Sequence, residues 1–103
     1  MDKGYLQIIT DRDRIRVRFK KVRGRIIEFV VQYETQVKDE WKPVIRYDTA
    51  HGHTHTDVLR PDGSQEKRLL HFPNYNDAFS YAEEDVKTNW ERYRREYLRE
   101  VEK

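Results

Sequence analysis

Residues 14–22 alternate between apolar and charged positions. Ile15, Val17 and Phe19 fall on one face, and Arg14, Arg16, Arg18 and Lys20 on the other. Period two over this length is the pattern of a strand with one buried face. Gly24 then supplies a turn, and residues 26–37 resume the alternation, with Ile27, Phe29, Val31, Tyr33 and Val37 sharing a face against Glu28, Gln32, Glu34 and Gln36. A hairpin across Gly24 sets Glu28 and Glu34 on the side of the arginine row, where opposite charges on neighbouring strands attract. Shorter extended segments are expected at residues 5–10, 41–48, 53–60 and 66–72. They are separated by a turn at residues 37–41, a break at Ala50–Gly52 and the turn Pro61-Asp62-Gly63.

After Pro73 the period changes. Phe79, Ala82, Val86, Trp90, Tyr93, Tyr97 and Val101 follow one another at steps of three or four, a single stripe along a helix over residues 76–101. Asn74 or Asn76 is suited to cap its start. Acids sit early (Asp77, Glu83, Glu84, Asp85) and arginines late (Arg92, Arg94, Arg95, Arg99), an order that favours the helix dipole. The pattern predicts an α+β fold, an antiparallel sheet of five to six strands with one long C-terminal helix. One domain spans residues 1–103, with the sheet in 1–75 and the helix in 76–103. Ile15, Val17, Phe19, Phe29, Val31, Tyr33, Ile45, Phe79, Val86 and Trp90 are the expected core. At 1.5 Å per residue the helix runs to roughly 39 Å, longer than a globule of about 100 residues is wide. Its far half, with Trp90, Tyr93 and Tyr97, is therefore expected to join two copies as a homodimer or to meet another protein; the alternative is a helix lying diagonally across the sheet that buries the whole stripe.

Composition narrows the function. The chain of 103 residues has 39% charged and 13% aromatic side chains, four glycines and no cysteine. Disulfides, thiolate metal sites and a cysteine nucleophile are excluded, and a Rossmann-type cofactor domain does not fit the size or the glycine count. No run of about 20 apolar residues suggests a membrane span, and no apolar N-terminal stretch suggests a signal peptide, so a cytoplasmic protein is expected. Charge is unevenly placed. Between Arg12 and Arg25 eight bases face one acid, Asp13, so that this stretch carries +7 in a chain of net charge +2. Such asymmetry suits an anionic partner, with Arg14, Arg16, Arg18 and Lys20 as candidate contacts to a nucleic-acid backbone. Pairing of the same arginines with acids on a neighbouring strand accounts for the row equally well.

The densest chemistry lies in residues 46–57, where His51, His53 and His55 fall within five positions and His71 follows on the next strand. An extended backbone sends His53, His55 and Asp57 to one face. Two imidazoles and a carboxylate so placed can hold a divalent metal, or divide the roles of general acid and general base. The H-x-H-x-D spacing is similar to the ligand run of metallo-β-lactamases, but Val58 stands where that run continues with histidine. Arg60 and Pro61 stand where a cupin needs a glutamate. The acid–base reading needs no metal and no cofactor. His53 and His55 act on the 2′-hydroxyl and the leaving 5′-oxygen of RNA, and Arg46 and the basic strand hold phosphate; Trp41 and Tyr47 are expected first to pack in the core, with stacking on bases as the alternative.

The run Arg46-Tyr47-Asp48-Thr49-Ala50-His51, with clustered histidines and a helix behind it, resembles the TumE family of small toxins from bacterial and archaeal toxin–antitoxin pairs. It is also similar to uncharacterised small proteins with an R-Y-D-x-A-H core. The likeness covers residues 26–90. It implies a small sheet-plus-helix protein, an RNA-cleaving toxin neutralised by an antitoxin-like partner, with Arg46, Asp48 and His51 as the matched positions. The histidine-rich patch that family members carry after an F-P pair is absent here, since Phe72-Pro73 is followed by Asn74-Tyr75-Asn76. The expectation is a metal-independent endoribonuclease working through Arg46, Asp48, His51, His53 and His55. The alternatives are a non-catalytic nucleic-acid or protein-binding module, and a metal-binding protein using His53, His55 and Asp57.

Overall fold

The structure is a computed structural model that describes residues 2–102, His51 through its backbone alone. Six strands run in order of sequence, β1 (Asp2–Thr10), β2 (Asp13–Val22), β3 (Arg25–Val37), β4 (Glu40–Asp48), β5 (His55–Leu59) and β6 (Gln65–Leu69), and α1 (Tyr75–Val101) follows them. Each strand pairs antiparallel with its neighbour in the chain, giving one sheet in the order β1-β2-β3-β4-β5-β6. This is the expected α+β arrangement. The helix lies on one face of the sheet, against β3 and β4, and the other face has no helix over it.

The core forms where the apolar parity of β2, β3 and β4 meets the helical stripe. Ile15, Val17, Phe29, Val31, Tyr33, Ile45 and Tyr47 are buried against Ala78, Ala82, Val86 and Tyr97. Phe79 wedges between Phe19 and Phe29, with ring centroids 5.2 and 5.4 Å away. Phe19, Phe79 and Trp90, expected in the core, pack at its edge and are partly buried.

A bulge alters one expectation. Lys20 pairs with Glu28, but Lys21 pairs with Ile26, so Ile27 is the extra residue. The insertion reverses the parity at the start of β3, as a bulge does. Ile26 turns into the core and Ile27 is 45% exposed. A second irregularity pairs Glu34 with Pro43, leaving Val44 unpaired, and Val44 is buried.

The helix starts where the asparagines suggested. The Asn74 side chain accepts the Asp77 backbone N–H at 2.8 Å, and the Asn76 side chain accepts the Ile26 N–H at 2.9 Å, tying the helix to β3. Asn74→Ala is expected to cost about 1 kcal/mol, the usual effect of losing an N-cap, read as a lower urea midpoint with an unchanged slope.

The far half of the helix corrects the dimer argument. Trp90 lies over Tyr33 at 6.1 Å and Tyr97 is only 7% exposed, so the aromatic stripe is covered by the chain's own sheet. Beside it, the Tyr93 hydroxyl donates to Asp85 at 2.6 Å. The reason is the length of β3. Its 13 residues reach roughly 43 Å at about 3.3 Å each, as far as the helix itself. Among the described residues no helix is long and apolar enough to cross a membrane.

Candidate functional site

Alternation places every second side chain of the sheet on the face away from the helix, and the register aligns these positions into rows across the strands. One row runs Leu6, Arg16, Gln32, Arg46, Asp57, Lys67, and the next runs Gly4, Arg18, Val30, Asp48, His55, Leu69. The basic row of β2 and the polar residues of β4 and β5 therefore share the sheet face away from the helix, exposed along β2 but closed over His55 and Asp57. Arg46 and Asp48 stand directly opposite Asp57 and His55.

Part of the basic row is neutralised within the fold. Glu34 takes Arg14 Nε at 2.6 Å and Arg16 Nε at 3.2 Å, and it also accepts the Gln32 amide. Burial pushes the Glu34 carboxyl up, but Arg14, Gln32 and Arg16 together outweigh burial and hold it below the usual range. The Arg14 guanidinium also lies 3.9 Å from the Trp41 ring centre, so Trp41 has a cation on its face instead of a free stacking surface. Arg46 donates from Nε to Gln32 at 2.7 Å. Arg18 and Lys20 have no hydrogen-bond or ion-pair partner among the described residues, and neither do Arg23 and Arg25 at the hairpin tip.

The histidines separate. β5 begins at His55, because Ala50–Gly52 forms a 3-10 turn with Gly52 at φ 85, a conformation suited to glycine. His53 lies before the strand and is exposed. His55 is 3% exposed, with Nε2 2.7 Å from Asp48 Oδ1 and 3.9 Å from Asp57 Oδ2. The same Asp48 oxygen accepts the Ala50 N–H at 3.0 Å, which fixes the turn to the end of β4. The third member of the metal-type grouping is thus Asp48 and not His53. The acid–base pair of His53 and His55 loses its common setting, since one is on the surface and the other is enclosed. The side chain of His51 lies outside the described residues, and His71 is exposed beyond β6.

Two carboxylates held by internal partners, the buried Asp13 and the half-buried Asp85, go beyond what the sequence predicted. Asp13, the lone acid of the basic run, accepts hydrogen bonds from Tyr33 at 2.6 Å, Thr35 at 2.9 Å and Thr10 at 2.6 Å. Its parity, shared with Ile15 and Val17, was the available signal. Asp85 accepts from the hydroxyls of Tyr47 at 2.7 Å and Tyr93 at 2.6 Å and from the Asn89 amide at 2.8 Å. Asn89 and Tyr93 lie one and two helical turns beyond it, a spacing that offered a weaker hint. A groove of about 400 Å³ runs between the helix and β4–β6, with Tyr47 and Tyr93 in its lining. Tyr47 thus serves the core side, not a base-stacking surface.

Over its whole length, residues 1–103, the chain matches a family described as a domain of unknown function (DUF7718), and it belongs to that family. No curated protein and no solved structure matches it. Family membership carries no activity with it.

Proposed function

We propose that this protein binds RNA in the cytoplasm across the open face of its sheet, gripping the phosphate backbone with the basic row of β2. The observation that carries the reading is the unpaired end of that row. Arg18 and Lys20 face out beside the cationic hairpin tip with Arg23 and Arg25, while only Arg14 and Arg16 are balanced by Glu34. Cations without an internal partner are the ones that gain most from phosphate, because contact releases counterions without breaking an ion pair. An antitoxin-like partner, on this reading, would compete for the same surface.

Binding has more support than cleavage. A general acid or base must reach the proton it transfers, and His55 is enclosed with Nε2 held by Asp48. An endoribonuclease working through His53 and His55 would have to expose His55 first.

Fluorescence anisotropy with a labelled single-stranded RNA at several salt concentrations tests the proposal. Losing two phosphate contacts in Arg18→Ala/Lys20→Ala should lower the slope of log K against log salt by about 1.4, at roughly 0.7 per contact for single strands. Arg14→Ala should change it less, since that guanidinium is held by Glu34. An unchanged slope in the double variant would refute the reading. Incubation of the RNA with and without chelator checks cleavage separately. Scission that survives chelator and drops about 10²–10⁴-fold in His53→Ala would restore the metal-independent nuclease.

A further inference from the structure

The geometry points to a binding site for one first-row divalent transition metal, of the zinc type, at Asp48, His55 and Asp57; this does not rest on the RNA reading. One oxygen or nitrogen from each residue lies within 4.8 Å of the others. Two of the separations, 2.7 Å for Asp48 Oδ1 to His55 Nε2 and 3.9 Å for His55 Nε2 to Asp57 Oδ2, bracket the spacing such an ion imposes. Metal–ligand bonds of about 2.1 Å put neighbouring ligand atoms roughly 3.0–3.4 Å apart. Side-chain shifts of well under an ångström along these contacts would bring them there.

The second observation is a missing partner. Asp57 is 4% exposed, and its Oδ1 is buried with no hydrogen-bond donor. A buried carboxylate oxygen left unbonded is costly, and native structures rarely leave one without a proton, a water or an ion. Two cations flank Asp57 by register, Arg46 and Lys67, but Arg46 directs Nε to Gln32, and among the described residues no ion pair joins either of them to Asp57. Two carboxylates and one imidazole thus stand together on the sheet with no basic side chain paired to either acid. A divalent ion held through Asp57 Oδ2 would balance both charges and lie beside the carboxylate whose other oxygen is unpartnered.

The donor set also favours one class of ion. Imidazole nitrogen suits zinc, copper, iron and nickel, whereas magnesium, calcium and manganese prefer oxygen ligands. Asp48 also lines a cavity of about 340 Å³ that has Arg18 and Lys20 in its wall. Three protein ligands leave positions for water or for an anion held by those cations.

Calorimetric titration of the chelator-stripped full chain with zinc chloride, without RNA, tests the site. One equivalent should bind to the parent. Asp57→Asn, which keeps the shape of the side chain, should bind about 10–100-fold more weakly, the range typical of damage to a metal site. His53→Ala and His71→Ala should bind as the parent does, and excess magnesium should not compete. Zinc should raise the thermal midpoint of the parent more than that of Asp57→Asn, a readout of linkage that needs no activity. Absence of stoichiometric uptake by the parent would overturn the proposal whatever the variants do. Equal affinity in Asp57→Asn, or loss of binding in His53→Ala, would also overturn it. Either failure leaves the RNA reading as it stands, and a failure to bind RNA leaves this site standing.

Discussion

At pH 11 the protein is expected to be about 3 kcal/mol less stable than at pH 9, and the loss traces to two buried phenols. Burial, reinforced by the hydrogen bond to Asp13, pushes the Tyr33 hydroxyl far above its usual 10.0. Burial and the bond to Asp85 do the same for Tyr47. Above pH 10 the unfolded chain gives up these protons while the folded chain keeps them. The unfolded state then binds fewer protons, and stability falls by about 1.4 kcal/mol per pH unit for each such group. The contribution is fully present below pH 10 and disappears above it. Tyr93, raised by burial and by the same Asp85, steepens the decline. Urea midpoints at pH 9, 10 and 11 measure the effect, and Tyr33→Phe should flatten the slope by about one such group. A flat profile across that interval would show that these hydroxyls ionise in the folded state.

Phe29→Ala is expected to cost about 3–5 kcal/mol, the range for emptying a fully buried aromatic site. Phe29 is 2% exposed and meets the rings of Phe79 and Tyr75 edge-on at 5.4 and 6.3 Å. It sits where β3, the hairpin and the helix start converge. Domains of this kind hold about 5–15 kcal/mol in total, so the variant should be close to unfolding at room temperature. Its near neighbour provides the contrast. Ile27→Ala should move the urea midpoint by no more than about 0.5 kcal/mol, because the bulge turns Ile27 to solvent. Equal losses at the two positions would mean that the bulge is misplaced.

The fold was readable because β2 and most of β3 keep strict alternation and because the period switches once, after Pro73. What misled was local. At the start of β3 two isoleucines stand side by side, and composition alone cannot say which one a bulge will turn inward. The helix was judged against the width of an average globule, when the relevant length was that of β3, the strand beneath it.

The candidate site divides along the same line. Arg46 and Asp48 share parity, and strand adjacency was enough to bring them opposite Asp57 and His55. His53 failed because the 3-10 turn runs to Gly52, at φ 85, and the strand begins two residues later than expected, at His55. Asp48 entered the metal grouping through a pairing between strands, a relation that spacing along one strand cannot reveal. Asp13 and Asp85 were hidden by their types. An acid in a basic run or on a charged helix reads as surface unless its parity is weighed above its charge.

The order of elements has a consequence for the birth of the chain. Every strand pairs with the one made just before it, so the sheet can grow by local hairpins as it emerges, and low contact order favours speed. The helix that covers Val17, Phe29 and Val31 comes after all six strands. At about 5–20 residues per second, its synthesis leaves a finished sheet with a bare apolar face for roughly 1–5 s. During that interval the nascent protein is at its stickiest, and whatever shields a half-made chain in the cell has this one surface to protect.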